Sequence, residues 1–256
     1  MTYQALAFFD LDGTLLDQHS KITPEITEAM TQLKANCVLP IIATGRTEAE
    51  IYHIREAAGI TSNIIMNGAF IRIDGEEVYN EKIDTTISER MLHAVEQKNH
   101  ALSFYNPTGY WATGYNDNMH KAYNLIHSDM PAIDPLGYKE KEVNMLLILS
   151  QDGDEYYHEL FPELTFYRNG PYSIDTVNKG TSKGKAVNRL QQLMNLEHVP
   201  TFGFGDGNND FALLEACDHK IAMGNAVDGL KDIASFVTKK NTEGGIVHAL
   251  KHFDLI

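Results

Sequence analysis

Five consecutive apolar residues, Ala5-Leu6-Ala7-Phe8-Phe9, open the regular pattern of this chain and stop at two carboxylates, Asp10 and Asp12. A run without polar alternation suits a central parallel strand covered on both faces. The period then changes. Ile26, Ala29, Met30 and Leu33 recur at helical spacing behind Thr23-Pro24, an N-cap followed by a first-turn proline. A second buried strand is predicted over 38–43, with Pro40 as an irregular member. A helix follows over 48–58, closed by Gly59, and a short strand over 63–66. Strands alternating with helices in this order predict a parallel α/β unit.

Residues 70–73 and 76–79 flank Asp74-Gly75, a hairpin signal that breaks the alternation. Beyond it, residues 81–178 are richer in aromatics. Strands are predicted there over 102–105, 110–115, 143–149, 164–167 and 173–177, and helices over 88–98, 116–127 and 152–160. Alternation returns at Lys183, where Ala186, Val187, Leu190, Leu193 and Met194 make an apolar helical face. Strands over 201–204, 220–222 and 235–238 then alternate with helices near 211–214, over 227–233 and over 246–250. The expected organisation is an α/β core from residues 1–80 and 179–256, with an inserted α+β domain over 81–178.

Composition narrows the partners. The chain has 256 residues, 43% apolar and 22% charged, with a formal net charge of -14. That acidity argues against a nucleic-acid surface and offers no polybasic anchor for a membrane. No signal peptide or long apolar span is legible. Cys37 and Cys217 are too few and too far apart for a disulfide framework, and both read as buried small side chains in a reducing, cytoplasmic setting.

The polar signals fall where predicted strands end, and open α/β sheets bind ligands beyond those ends. Asp10 and Asp12, two apart in extended chain, address one side. Two acids so close repel unless a cation or a shared proton intervenes. Thr44 ends the second strand, Asp206 follows the strand over 201–204 with Asn209 and Asp210 close behind, and Lys183 opens a helix. Thr44 alone could be an N-cap and Lys183 alone a surface lysine, with Lys179 the alternative. Together, three carboxylates, a hydroxyl and an ammonium point to a magnesium and phosphate site.

These residues form four motifs: Asp10-Leu11-Asp12-Gly13-Thr14, Thr44-Gly45-Arg46, Lys183-Gly184 and Gly205-Asp206-Gly207-Asn208-Asn209-Asp210. The set resembles the haloacid dehalogenase (HAD) superfamily. Its long insertion, with Asn67-Gly68-Ala69 and Thr242-Glu243-Gly244-Gly245, is similar to the Cof-type phosphatases with a C2B cap. The resemblance implies a Rossmann-like core and an α+β cap. It implies Asp10 as nucleophile and Asp12 as general acid and base. Mg2+ would be held by the Asp10 carboxylate, the Asp12 carbonyl and Asp206, and phosphate by Leu11, Thr44, Gly45, Lys183 and Asn209. Asp210 would support Lys183 or a metal-bound water.

The expected reaction is hydrolysis of a small phosphorylated metabolite by a monomer or weak homo-oligomer. A phosphomutase on the same core, a phosphoaspartate-switched receiver and a non-catalytic phosphate binder are the rival readings. Receiver domains place the acceptor aspartate well after their acid pair, whereas Asp10 lies in the first strand. Within the insert, Phe104, Tyr105, Tyr110, Trp111 and Tyr115 suggest a cap that selects the leaving group. The competing reading is that they build the insert's own core. His120 and Lys121 read as surface residues.

Overall fold

A computed structural model describes residues 3–256 and contains two sheets. In the larger sheet, the strand Ala5–Phe9 lies between Val38–Ala43 and Thr201–Gly205, parallel to both. Ser62–Ile65 continues the parallel set on one side, and His219–Ala222 and Phe236–Val237 on the other. The antiparallel strands Phe70–Ile73 and Glu76–Asn80 finish one edge.

The unbroken apolar run of the first strand has a direct cause. Ala7 and Phe9 pack with Ile26, Met30 and Leu250 on one face. Leu6 and Phe8 pack with Val187, Leu190 and Leu213 on the other. Each face needs every second residue, so both sets are apolar. Pro40 sits opposite Ala7, while pairing on its strand's other side begins only at Ile41. Its missing N–H therefore falls outside the stretch paired on both sides.

The smaller sheet has the spatial order Leu164–Gly170, Ser173–Asn178, Met145–Leu149, Ala101–Asn106, Gly109–Ala112 and Ala132–Ile133. The pair Ala132–Ile133 was not legible in the sequence, being only two exposed residues long. Other bounds shift by a few residues. The helix expected over 88–98 is Thr85–Gln97, capped by Asp84; that over 116–127 is Asp117–Leu125, capped by Asn116. One face of this sheet packs Leu102, Phe104, Trp111, Leu146 and Ile148 against its own helices. The opposite face carries Ala101, Tyr105, Met145 and Leu147 toward the larger sheet's side of the molecule. The two crossings between the sheets are stitched together, with Thr181 donating to Glu81 at 2.6 Å and Asn178 to the Lys82 carbonyl at 2.9 Å.

The cysteines differ from expectation. Cys217 is buried, but Cys37 is exposed at φ 57, in the turn between the helix Pro24–Ala35 and the strand Val38–Ala43. A tight reversal at that point leaves its side chain no core to enter. Among the described residues no helix is long and apolar enough to cross a membrane.

Candidate active site

The strand Ala5–Phe9 delivers Asp10 to the floor of a cavity of about 440 Å³ between the two sheets. Asp10 is buried, and its Oδ1 accepts from Lys183 Nζ at 2.6 Å. Oδ2 has no hydrogen-bond partner among the described residues. Lys183 is fully buried, opens the helix Lys183–Met194 and donates a second bond to Asp210 Oδ1 at 2.7 Å. Burial alone would push the Lys183 ammonium down, but Asp10 and Asp210 outweigh it and hold it above the usual lysine range. Lys179, by contrast, is exposed.

After Asp10 the chain makes one irregular helical turn, Leu11–Leu15, in which Gly13 takes φ 80. A Cβ at Gly13 would stand 2.2 Å from Asp206 Oδ2, so both the conformation and the close approach require glycine. Thr14 donates to Asp206 Oδ1 at 2.8 Å. Asp210 Oδ2 accepts from the backbone N–H groups of Asp206 and Gly207 at 3.0 and 2.9 Å. Asp210 thus shapes the loop that presents Asp206.

Carboxylate oxygens of Asp10, Asp206 and Asp210 lie within 4.8 Å of one another. Burial, then the negative charge of Asp210, pushes Asp10 well above the ordinary carboxylate range and raises Asp206 to about 6. Hard oxygen donors under mutual repulsion fit a divalent cation such as magnesium. Asp210 is fully buried, does not line the cavity and accepts three hydrogen bonds, whereas Asp206 lines it and accepts from Thr14 and, at 3.4 Å, from Asn225; Asp10 and Asp206 are therefore the better-placed ligands.

Asp12 leaves this cluster. Its carboxylate is gripped by Arg46 through Nε at 2.8 Å and Nη2 at 2.5 Å. Thr44 is buried on the cavity wall and its Oγ1 accepts from Arg46 N at 3.2 Å, with Gly45 beside it. Leu11, expected at the phosphate, is fully buried and does not line the cavity. Asn209 lines the cavity but gives its Nδ2 to Asn67 Oδ1 at 2.9 Å.

The model matched by residues 7–250 is that of the haloacid dehalogenase-like hydrolases. The chain belongs to that family. This hydrolase is 34% identical over 254 residues to YkrA of Bacillus subtilis (strain 168), which carries a provisional phosphatase name, with 98% of each chain covered. It is 27% identical to the HMP-PP phosphatase of Yersinia enterocolitica, covering 97% of this chain and 94% of that one. The solved structure of a HAD subclass IIB sugar phosphatase superposes over the whole of both chains with TM-score 0.88 at 28% identity. The hydrolase is thus an α/β enzyme of the phosphatase class.

Several residues in and around the cavity had no task assigned from the sequence. Arg46 stood in a motif without an assigned task. Asn67 sits at φ 54 in a loop where Met66 and Gly68 also have positive φ, and its Nδ2 donates to Asp175 at 2.8 Å. Asp175 comes from the strand Ser173–Asn178 of the smaller sheet, and burial raises it to about 6. The aromatic selection expected of Trp111 is not supported by its position. Trp111 is buried and stacks on Phe104 at 5.8 Å, which in turn stacks on Tyr138, all facing away from the cavity. Alternation gives the cavity Tyr105 instead, joined by Tyr123, with hydroxyls 2.6 Å apart. Tyr115 is exposed.

Proposed function

We propose that this hydrolase removes phosphate from small phosphate monoesters, sugar phosphates or phosphorylated cofactors, with Mg2+ and through a phosphoryl group carried on Asp10. The observation that carries the reading is Asp10 itself. One of its oxygens is held by a buried ammonium, and the other is unpartnered on the floor of a capped cavity that also contains Asp12 and Thr44. The names of the relatives, a sugar phosphatase and an HMP-PP phosphatase, support small phosphorylated substrates.

Asp10 Oδ2 forms the new bond to phosphorus as the bond to the leaving oxygen breaks, and Asp12 gives that oxygen its proton. The Asp12 carboxylate then takes a proton from water as the water oxygen bonds to phosphorus and the Asp10–phosphorus bond breaks. Thr44 and the third N–H of Lys183 serve the phosphoryl oxygens, with Gly45 and Asn209 completing their surroundings. Asp10, Asp206 and the Asp12 carbonyl would hold Mg2+, which would supply positive charge to the transferring group. Asp210 keeps Lys183 and the Asp206 loop in place. On the grounds of cysteine usage, we place the enzyme in the cytoplasm.

The test is phosphate release from p-nitrophenyl phosphate with magnesium, comparing the wild type with Asp10→Asn shown to be folded by circular dichroism. Release by the wild type alone supports the reading. Equal release by both, or none by either, sinks it.

A further inference from the structure

The cavity divides by charge. On its floor, the acids Asp10, Asp12 and Asp206 are balanced by Lys183, Arg46 and the proposed metal. Beneath the inserted domain the wall is Tyr105, Tyr123, Met145 and Leu147, with Asp175 and Glu50 as its carboxylates. No free cation answers them among the described residues that line it. Arg46 is committed to Asp12 and to the Ile126 carbonyl at 2.9 Å, and His127 is exposed at the edge. Glu50 is occupied, accepting from Thr47 N at 3.0 Å and from Ser128 Oγ at 2.9 Å. The tyrosine hydroxyls are occupied too, by each other and by Ser103.

Asp175 differs from its neighbours. Asn67 and Asn169 both donate to Oδ2, at 2.8 and 3.3 Å, and Oδ1 has no hydrogen-bond partner among the described residues. It lies against the phosphate-binding turn, since a Cβ at Gly45 would stand 2.8 Å from Oδ2. Asp175 is half-buried, and a partly desolvated carboxylate with one open acceptor suits a ligand that donates to it.

We propose that Asp175 reads the leaving group. It accepts a hydrogen bond from a hydroxyl or ammonium of an uncharged or cationic alcohol, while this half of the cavity rejects a leaving group bearing a second anion. The proposal rests on the phosphatase reading above. A second phosphate or carboxylate would meet two carboxylates and no free counter-charge, whereas an amine would be paired.

The experiment compares kcat/KM for glucosamine 6-phosphate, glucose 6-phosphate and 6-phosphogluconate, which share a six-carbon frame and differ in charge. p-Nitrophenyl phosphate reports the chemistry alone. The amine and the neutral sugar should exceed the acid by at least about tenfold. In Asp175→Asn, the ratio of glucosamine 6-phosphate to 6-phosphogluconate should fall at least about fivefold. Because it is a ratio from one preparation, partial unfolding cancels. Equal or faster turnover of the acid, a ratio unmoved in the variant, or cleavage of the aryl ester with none of the three sugars overturns the proposal. If the aryl ester also survives, the phosphatase reading falls and this one with it.

Discussion

Arg46 grips Asp12 with two nitrogens while the same Nη2 donates to the Ile126 carbonyl at 2.9 Å, so one guanidinium ties Asp12 to the chain that follows the helix Asp117–Leu125. Thr47 reaches the Asn106 carbonyl at 2.5 Å and Glu50 reaches Ser128 from the same segment. The turn after the strand Val38–Ala43 therefore positions Asp12 and ties it to the segments around Asn106, Ile126 and Ser128.

Arg46→Lys keeps the charge and loses the fork. We expect kcat on p-nitrophenyl phosphate to fall about tenfold to a hundredfold, since small misplacements of a reacting group cost that much. Steady-state kinetics would decide it, and an unchanged kcat would mean that Asp12 works without the guanidinium.

Lys183→Met leaves Asp10 and Asp210 buried without their shared cation. Removing one partner from a buried ion pair costs about 3–5 kcal/mol. Urea unfolding of the metal-free protein at neutral pH should show a loss of that order, partly recovered on adding magnesium. A loss below about 1 kcal/mol would contradict the buried network.

The raised carboxylates set a pH dependence. Asp206 and Asp175 titrate near about 6 in the folded protein, and Asp10 is also raised, against about 4 when unfolded. Between these values the folded, metal-free chain binds more protons than the unfolded one, so these groups lower its stability as pH rises through that window. In the proposed site the metal would be held by ionised Asp10 and Asp206. The increase in Tm produced by magnesium should therefore be small near about pH 5 and larger near about pH 7. An increase independent of pH would separate these acids from the metal.

Gly13→Ala places a methyl group against Asp206 and an L side chain at φ 80. The backbone strain costs about 1–2 kcal/mol, and displacement of Asp206 should weaken magnesium binding. Calorimetric titration of the variant would show it; wild-type affinity would mean that Asp206 is not a ligand.

The parallel sheet was legible because its pattern is local and redundant. The run Ala5–Phe9, the helical face from Ile26 to Leu33 and that from Ala186 to Met194 each state their burial in their own residue types. Asp10, Thr44 and Asp206 were legible because they sit where such runs end. Trp111 and Tyr105 were not separable, since both are aromatics on adjacent strands. Their fates depend on which face of the inserted sheet turns outward, and no single strand states that.

By itself the sequence determined the alternation of strands and helices, the segments that lead to the acids, and the family to which the chain belongs. The tertiary structure alone decided which side chains meet: Lys183 between Asp10 and Asp210, Arg46 on Asp12, and Asp175 over Gly45. The reason is distance along the chain. Strand and helix follow from neighbours a few residues apart, whereas these charges come from segments up to 173 residues apart and acquire partners only when the two sheets close on one cavity.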